Sequence, residues 1–282
     1  MSSLSIVRTK VDLRALVSGW RRDGKKIALV PTMGALHAGH LALIEQAKTA
    51  ADVVIASIFV NPTQFAPHED LARYPRQEAA DREQLEKVGC DGLYAPLVAE
   101  LYPEGFQTRV VPGAVAQRLE GTFRPHFFGG VATVVAKLFV QVTPDVAIFG
   151  EKDWQQLQVI STMVRDLDLP VEILSAPTHR EADGLALSSR NAYLSDAERA
   201  VAPSLKRALD RVAETIHHAP DTLGSVIEAT KAHLLAAGFQ SIDYLEVCHS
   251  QTLEPWQVGD PARILVAAWL GKTRLIDNCG LD

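Results

Sequence analysis

The stretch Pro31-Thr32-Met33-Gly34-Ala35-Leu36-His37-Ala38-Gly39-His40-Leu41 decides how this chain is read. Before it runs Lys26-Ile27-Ala28-Leu29-Val30, an apolar segment of the kind that forms a buried strand. After it, Leu41, Ile44, Ala47 and Ala51 recur at helical spacing. Pro31 is expected to stop the strand, and Gly34 and Gly39 to give the turn backbone angles closed to other residues. The helix start leaves main-chain N–H groups facing the place where an anion would sit, with the imidazoles of His37 and His40 beside it. A bare pair of histidines three apart more often caps a helix or lies at the surface. Here strand, proline, two glycines and helix surround the pair, and that context points to nucleotide chemistry.

Working outward, Val53 to Val60 is nearly continuous apolar and β-branched sequence, the pattern of a strand buried on both faces. Strand, helix and strand in so short a span make a βαβ unit, hence parallel pairing with a right-handed crossover. Ligands in such sheets bind beyond the carboxyl ends of the strands. Asn61-Pro62-Thr63-Gln64-Phe65 therefore belongs beside the histidines. Further helices are expected at Leu13 to Trp20, at Glu78 to Val88 and from Val131 to about Val142, with Pro96 to Gly113 as loop. Strands are expected at Gly92 to Ala95, Val146 to Phe149 and Val171 to Leu174. The turn Gly150-Glu151-Lys152-Asp153 follows the second of these and leads into a helix carrying Val159, Ile160, Met163, Val164 and Leu167.

Past Ala176 the alternation of strand and helix gives out. Ser195-Asp196-Ala197-Glu198 matches a capping box, and Asp221 to Ala237 reads as a helix closed by Gly238. Asp243 to Val247, Arg263 to Ala268 and Arg274 to Asn278 read as strands of a small sheet. Gly271-Lys272-Thr273 imitates the end of a phosphate-binding loop. Val266 stands where that motif needs glycine, however, and strands flank the segment, so it reads as a hairpin turn. The fold expectation is α/β: a Rossmann-like parallel sheet domain over residues 1–178, followed by a smaller α+β domain over 179–282.

A formal net charge of −6 gives no basic footprint for nucleic acid, so an anionic ligand must meet local positive charge. Cys90, Cys248 and Cys279 are odd in number and far apart, which suits neither a disulfide framework nor a zinc site. No run is long enough to span a membrane, and the first residues lack a signal-peptide pattern. These features predict a cytoplasmic protein.

Four segments are expected to share one crevice: the histidine turn, the Asn-Pro-Thr-Gln turn, the Gly-Glu-Lys-Asp turn, and Arg180 to Asn191 at the domain boundary. Ser188, Ser189 and Arg190 offer two hydroxyls and a guanidinium in succession, residue types that suit polyphosphate. Singly, Lys152 could be a solvated lysine and Gln64 and Gln156 surface amides. Their common place at strand ends favours a site.

His-x-Gly-His in this setting resembles the nucleotide signature of the nucleotidyltransferase and class I aminoacyl-tRNA synthetase superfamily. PTMGALHAGH, FVNPTQF, RYPR (73–76), FGEKDWQQL and READGLALSSRN together resemble the pantothenate synthetase family over most of the chain. The resemblance implies ATP-dependent joining of (R)-pantoate to β-alanine through a pantoyl adenylate. It also implies ATP as substrate with Mg2+, a C-terminal lid and a homodimer. Matched by motif, Met33, Gly34, Ala35, Leu36, His37, Ala38, Gly39 and His40 would line ATP, with His40 catalytic beside His37. Gly150, Glu151, Lys152 and Asp153 would hold the ribose and phosphate region, with Lys152 near the reacting phosphate. Leu187, Ser188, Ser189 and Arg190 would close over the triphosphate. Gln64 and Gln156 would bind pantoate, Gln64 also facing β-alanine, and Asp81 and Gln84 would lie on a metal-linked acidic helix. Two positions depart from the family: His126 comes one residue early after Arg124-Pro125, and His179 replaces a small aliphatic residue on the adenine side, where a backbone contact would survive. A plain nucleotidyltransferase would keep AMP in its product. A sensing module would have little use for His37, His40, Lys152 and Arg190 together.

Overall fold

Ile27, Ala28, Leu29 and Val30 are all fully buried, which a strand achieves only when both faces of its sheet are covered. The computed structural model describes residues 4–67 and 69–281. In chain order it begins β1 (Ser5–Val7), α1 (Lys10–Arg22), β2 (Ile27–Thr32), α2 (Ala38–Ala50), β3 (Val53–Ile58), α3 (Glu78–Lys87) and β4 (Gly92–Tyr94). It continues through α4 (Val98–Leu101), α5 (Glu120–Phe123), α6 (Phe127–Val142), β5 (Val146–Gly150), α7 (Trp154–Asp166) and β6 (Glu172–Ala176). These strands form one parallel sheet in the order β1-β4-β3-β2-β5-β6. The period-two alternation of β2 and β3 divides the core. Ile27, Leu29 and Ile55 pack with α1, α6 and α7, whereas Ala28, Val30, Val54 and Ala56 pack with α2 and α3.

The rest comprises α8 (Asp196–Val201), α9 (Ser204–His218), α10 (Leu223–Ala237), β7 (Ser241–His249), β8 (Ala262–Leu270) and β9 (Thr273–Leu281). The last three strands make an antiparallel sheet in chain order. Ile264, Val266, Ala268 and Leu270 face α9 and α10. Leu265 and Ala267 face the other way, with Tyr244 and Cys248, toward Leu119, Leu253 and Trp154. The small sheet thus uses its second face to dock on the first unit. Ser195 and Glu198 close the expected capping box, and Gly271 (φ +57°) turns the expected hairpin.

Two expectations about glycine and proline need correction. Pro31 does not stop β2, which runs on through Thr32, with Pro31 in register with Ser57. Thr32 C=O accepts from Phe59 N–H on the β3 side, so the Pro31 backbone points the other way, where pairing with β5 has already ended at Leu29. Its missing N–H has no partner to lose. The sixth helix also begins earlier than expected, at Phe127, and takes Gly129 and Gly130 inside it.

Gly130 is there because the backbone of Thr63 and Gln64 lies against it. A Cβ would meet Thr63 O at 2.4 Å and Gln64 N at 2.8 Å. At Gly129 the nearest atom would be Val110 O, at 3.8 Å. Gly130→Ala should therefore cost about 1–3 kcal/mol through overpacking, while Gly129→Ala should be neutral or gain up to about 1 kcal/mol of helix propensity. Urea unfolding of the two variants checks this, and equal stabilities would mean that α6 does not need the close approach.

Candidate active site

In the sheet order, β2 has β3 on one side and β5 on the other, and the chain leaves for opposite edges from this pair. That is the topological switch point, where the carboxyl ends of neighbouring strands open a crevice. A cavity of about 1040 Å³ lies there, ample for a nucleotide and a small acid.

The histidine turn is held by a buried carboxylate. Gly34 (φ +81°) and Ala35 (φ +52°) are both left-handed. The N–H groups of Ala35 and Leu36 donate to Asp81 Oδ2 and Oδ1 at 2.9 and 2.8 Å, and Asp81 is 1% exposed. Successive N–H groups converging on one anion form a nest. These two donors thus face α3, not a ligand, and Asp81 serves the turn instead of lining the cavity. Gly39 is not left-handed. Its want of a side chain admits the His37 ring, whose Cε1 and Nδ1 would lie 3.1 Å from a Cβ.

His37 N–H donates to His40 Nδ1 at 3.3 Å, which puts the His40 proton on Nε2. The rings lie 4.0 Å apart, centroid to centroid. Burial, then Lys152 nearby, pushes the His37 pKa down to about 4; burial, then His37 and Lys152, pushes His40 to about 3. Both imidazoles are neutral at physiological pH. Nδ1 of His37 is buried against Gly39 without a hydrogen-bond partner among the described residues.

Lys152 follows β5 in a single turn of 3₁₀ helix, Glu151–Asp153, and its side chain is 19% exposed with Nζ 3.9 Å from Asp153 Oδ2. The small sheet grips this turn: Asn278 Nδ2 donates to the carbonyls of Glu151 and Lys152 at 2.9 and 2.8 Å. Arg263 reaches Glu151 Oε2 at 3.2 Å and lies 3.7 Å over the Trp154 ring. Glu151 is therefore engaged with the scaffold.

On the other side Gln64 is 7% exposed; its Oε1 accepts from Asn61 Nδ2 at 3.1 Å and its Nε2 faces Met33 Sδ. Asn61 is itself anchored by Gly130 O and the Tyr102 hydroxyl. The adjacent amides of α7 divide the work. Gln155 is buried and bonded to Val115 O, Arg118 O and Glu120 N–H, whereas Gln156 lines the cavity. Arg190 is bidentate to Asp70, and Ser188 Oγ accepts from Arg190 N–H. Burial pulls the Arg190 pKa down, but Asp70 more than offsets it and the charge is kept.

Met33, His37, Gly39, His40, Gln64, Gly150, Lys152, Asp153, Gln156, His179, Leu187, Ser188, Ser189 and Arg190 all line this one cavity. Gly34, Ala35, Leu36, Ala38 and Glu151 do not. The first three are buried in the turn, Ala38 points to solvent from the first turn of α2, and Glu151 pairs with Arg263. His126 is also outside the lining, 3.9 Å from Glu69, while its neighbour Phe127 forms the wall under Arg124. Sequence reasoning gave no site role to Asp70, Tyr74, Arg124, Glu120 and Arg274, which line the cavity in ion-paired or hydrogen-bonded clusters. The quoted RYPR run, which contains Tyr74, and the Arg124-Pro125 segment were the signals close to them.

The family profile described as Pantoate-beta-alanine ligase matches residues 5–280. A pantothenate synthetase of Mesorhizobium japonicum is 57% identical over 281 residues, covering 99% of this chain and 98% of that protein. The crystal structure of the pantothenate synthetase of Thermus thermophilus superposes with a TM-score of 0.90 at 47% identity, covering 99% of both chains. That of the Francisella tularensis pantoate-beta-alanine ligase, complexed with beta-gamma ATP and beta-alanine, gives 0.82 at 34% identity over 98% of this chain and 97% of that one. With the profile spanning nearly its whole length and the switch-point cavity in place, this chain belongs to the pantoate–β-alanine ligase family.

Proposed function

We propose that the cavity joins (R)-pantoate to β-alanine at the expense of ATP, releasing pyrophosphate and then AMP, with a pantoyl adenylate between the two steps. The observation that carries the reading is the meeting of a neutral histidine pair with Lys152 at the carboxyl ends of β2 and β5, in a cavity that Gln64 and Gln156 also line. The cavity-lining residues of the histidine turn, of the Gly150–Asp153 turn and of the 187–190 segment, with His179, take ATP in this proposal. Gln64 and Gln156 take pantoate, and Gln64 also meets β-alanine.

Pantoate arrives as a carboxylate, already nucleophilic, so adenylation requires alignment with the α-phosphate and positive charge where pyrophosphate departs. Lys152 and Arg190 supply that charge. The neutral imidazoles give hydrogen bonds without adding further cations, His40 through Nε2–H. In the second step the neutral amine of β-alanine attacks the acyl carbon, AMP leaves with the bonding pair of the acyl–oxygen bond, and the nitrogen gives up one proton. Magnesium is proposed to arrive with the triphosphate, whose charge it would neutralise. Asp153, which no arginine holds among the described residues, suits an ion that binds through one carboxylate and substrate phosphates.

The proposal also covers a domain division after Thr178, a cytoplasmic location and a homodimer. The three cysteines are free, and no helix among the described residues is long and apolar enough to cross a membrane. Val11, Val98 and Val140 expose apolar side chains that a second copy would cover. Sedimentation at the mass of one chain would overturn the dimer.

ATP–pyrophosphate exchange tests the central reading: it should require pantoate, and Lys152→Ala should reduce it by on the order of a hundredfold or more without unfolding the protein. Gln156→Ala should weaken pantoate binding by about 1–3 kcal/mol and leave ATP binding nearly unchanged. Exchange without pantoate, or full activity in Lys152→Ala, would defeat the assignment.

The depressed histidine pKa values also fix a pH dependence. Between pH 6.5 and about 4 for His37, and down to about 3 for His40, the unfolded chain binds more protons than the folded one. Stability is therefore full above pH 6.5 and declines as pH falls through that window. His40→Gln should flatten part of this acid slope in unfolding experiments, and an unchanged slope would mean that His40 is not held neutral.

A further inference from the structure

Arg190 is assigned above to the phosphates, yet the folded chain already gives it a partner. Its Nε donates to Asp70 Oδ2 and its Nη2 to Asp70 Oδ1, both at 3.0 Å. Both residues line the cavity, and their side chains are only 29% and 22% exposed. The same two segments meet elsewhere: the Tyr74 hydroxyl and Ser189 Oγ are 3.2 Å apart, and the Tyr193 hydroxyl donates to Arg73 O at 3.2 Å. The Arg190 guanidinium also lies 5.8 Å from the Tyr74 ring centroid.

A guanidinium is flat and its donors are fixed relative to one another, so holding the Nε–Nη2 edge sets the direction of the Nη1 edge. Nη1 has no partner among the described residues beyond those named, and it remains for a ligand. A free arginine would have to be ordered when charge develops on the departing group. One already forked to a carboxylate is placed beforehand, and preorganised donors are the ones that lower a barrier. Asp70 could instead be a stand-in for phosphate that ATP must displace. The enclosed fork, together with the accompanying Tyr74 and Tyr193 contacts, favours the first role, because the whole seam between the two segments would have to be rebuilt on displacement.

We infer that Asp70 is a positioning residue for the adenylation step, holding Arg190 so that its free edge meets the departing pyrophosphate. The inference rests on the reading of Arg190 as a phosphate-binding group. Adenylation is followed in single turnovers with ATP and pantoate, and amide formation separately with synthetic pantoyl adenylate and β-alanine. Asp70→Ala should slow the first step about 10- to 100-fold and leave the second within about twofold, a split that general loss of structure would not give. Asp70→Asn keeps the shape and one acceptor; it should fall between, and it carries the test if the alanine variant does not fold. Adding Asp70→Ala to Arg190→Ala should slow the first step no further. A first step at the wild-type rate or faster in both Asp70 variants, or an equal loss in both steps, or additive losses in the double variant, overturns the positioning role. If Arg190→Ala itself leaves adenylation intact, the phosphate reading of Arg190 fails first. A slow Arg190→Ala beside a fast Asp70→Ala removes only the role of Asp70.

Discussion

Because β2 pairs with β3 along one edge and with β5 along the other, the two strands that end in chemistry end side by side. The turn after β2 carries His37 and His40, and the turn after β5 carries Lys152. No local propensity could bring residues so far apart in the chain to one place; parallel pairing does it, with helices covering both faces of the sheet. Once that pairing is set, the depressed histidine pKa values follow. The turn is walled by the sheet beneath and α2 beside it, so charge on the imidazoles would be poorly solvated, and Lys152 supplies the competing positive charge.

The electrostatics of the cavity are built from pairs. Arg190 is held by Asp70, Arg124 by Glu69 and Glu120, and Arg274 by Glu120 and Asp243. Such partly buried pairs are weak evidence of stability, since desolvation offsets most of the attraction. Their clearer effect is directional. Each arginine is forced into one orientation, and the cavity holds fixed dipoles with little net excess of charge. Lys152, with Nζ 3.9 Å from Asp153 Oδ2 and no fork to a carboxylate among the described residues, is left to meet phosphate. It also explains why an overall charge of −6 is no obstacle to an anionic ligand: at physiological salt the protein's total field is screened over about 8 Å, and the cavity decides locally.

How much of this was legible in the sequence depends on whether the cause was local. The βαβ unit, the Ser195–Glu198 capping box and the Gly271 hairpin have their causes within a few residues, and each could be read directly. The convergence of the histidine, Asn-Pro-Thr-Gln and Gly-Glu-Lys-Asp turns was legible because topology dictates it. What escaped was set by tertiary contact. Pro31 lies within a strand because its backbone faces a gap in the ladder, and Gly130 lies within a helix because another backbone presses on it. Asp81, on a helix of largely polar sequence, gave no sign that it anchors the turn forty-odd residues earlier.

The small sheet is tied to the site more firmly than the picture of a separate lid suggests. Asn278 on β9 holds the main chain of Glu151 and Lys152, Arg263 on β8 covers Trp154, and the Trp154 indole N–H reaches Ser250 O. Any rigid-body movement of that sheet must therefore carry the Lys152 turn with it or break main-chain hydrogen bonds in a half-buried place. The seam between residues 70–74 and 188–193 is different, since side-chain groups make most of its contacts. The fork of Arg190 to Asp70 is charge-assisted and bidentate, so it fixes direction as well as adding energy. The Lys152 turn is thus fixed to the small sheet through its main chain, whereas Arg190 is fixed to the 70–74 segment through its fork to Asp70.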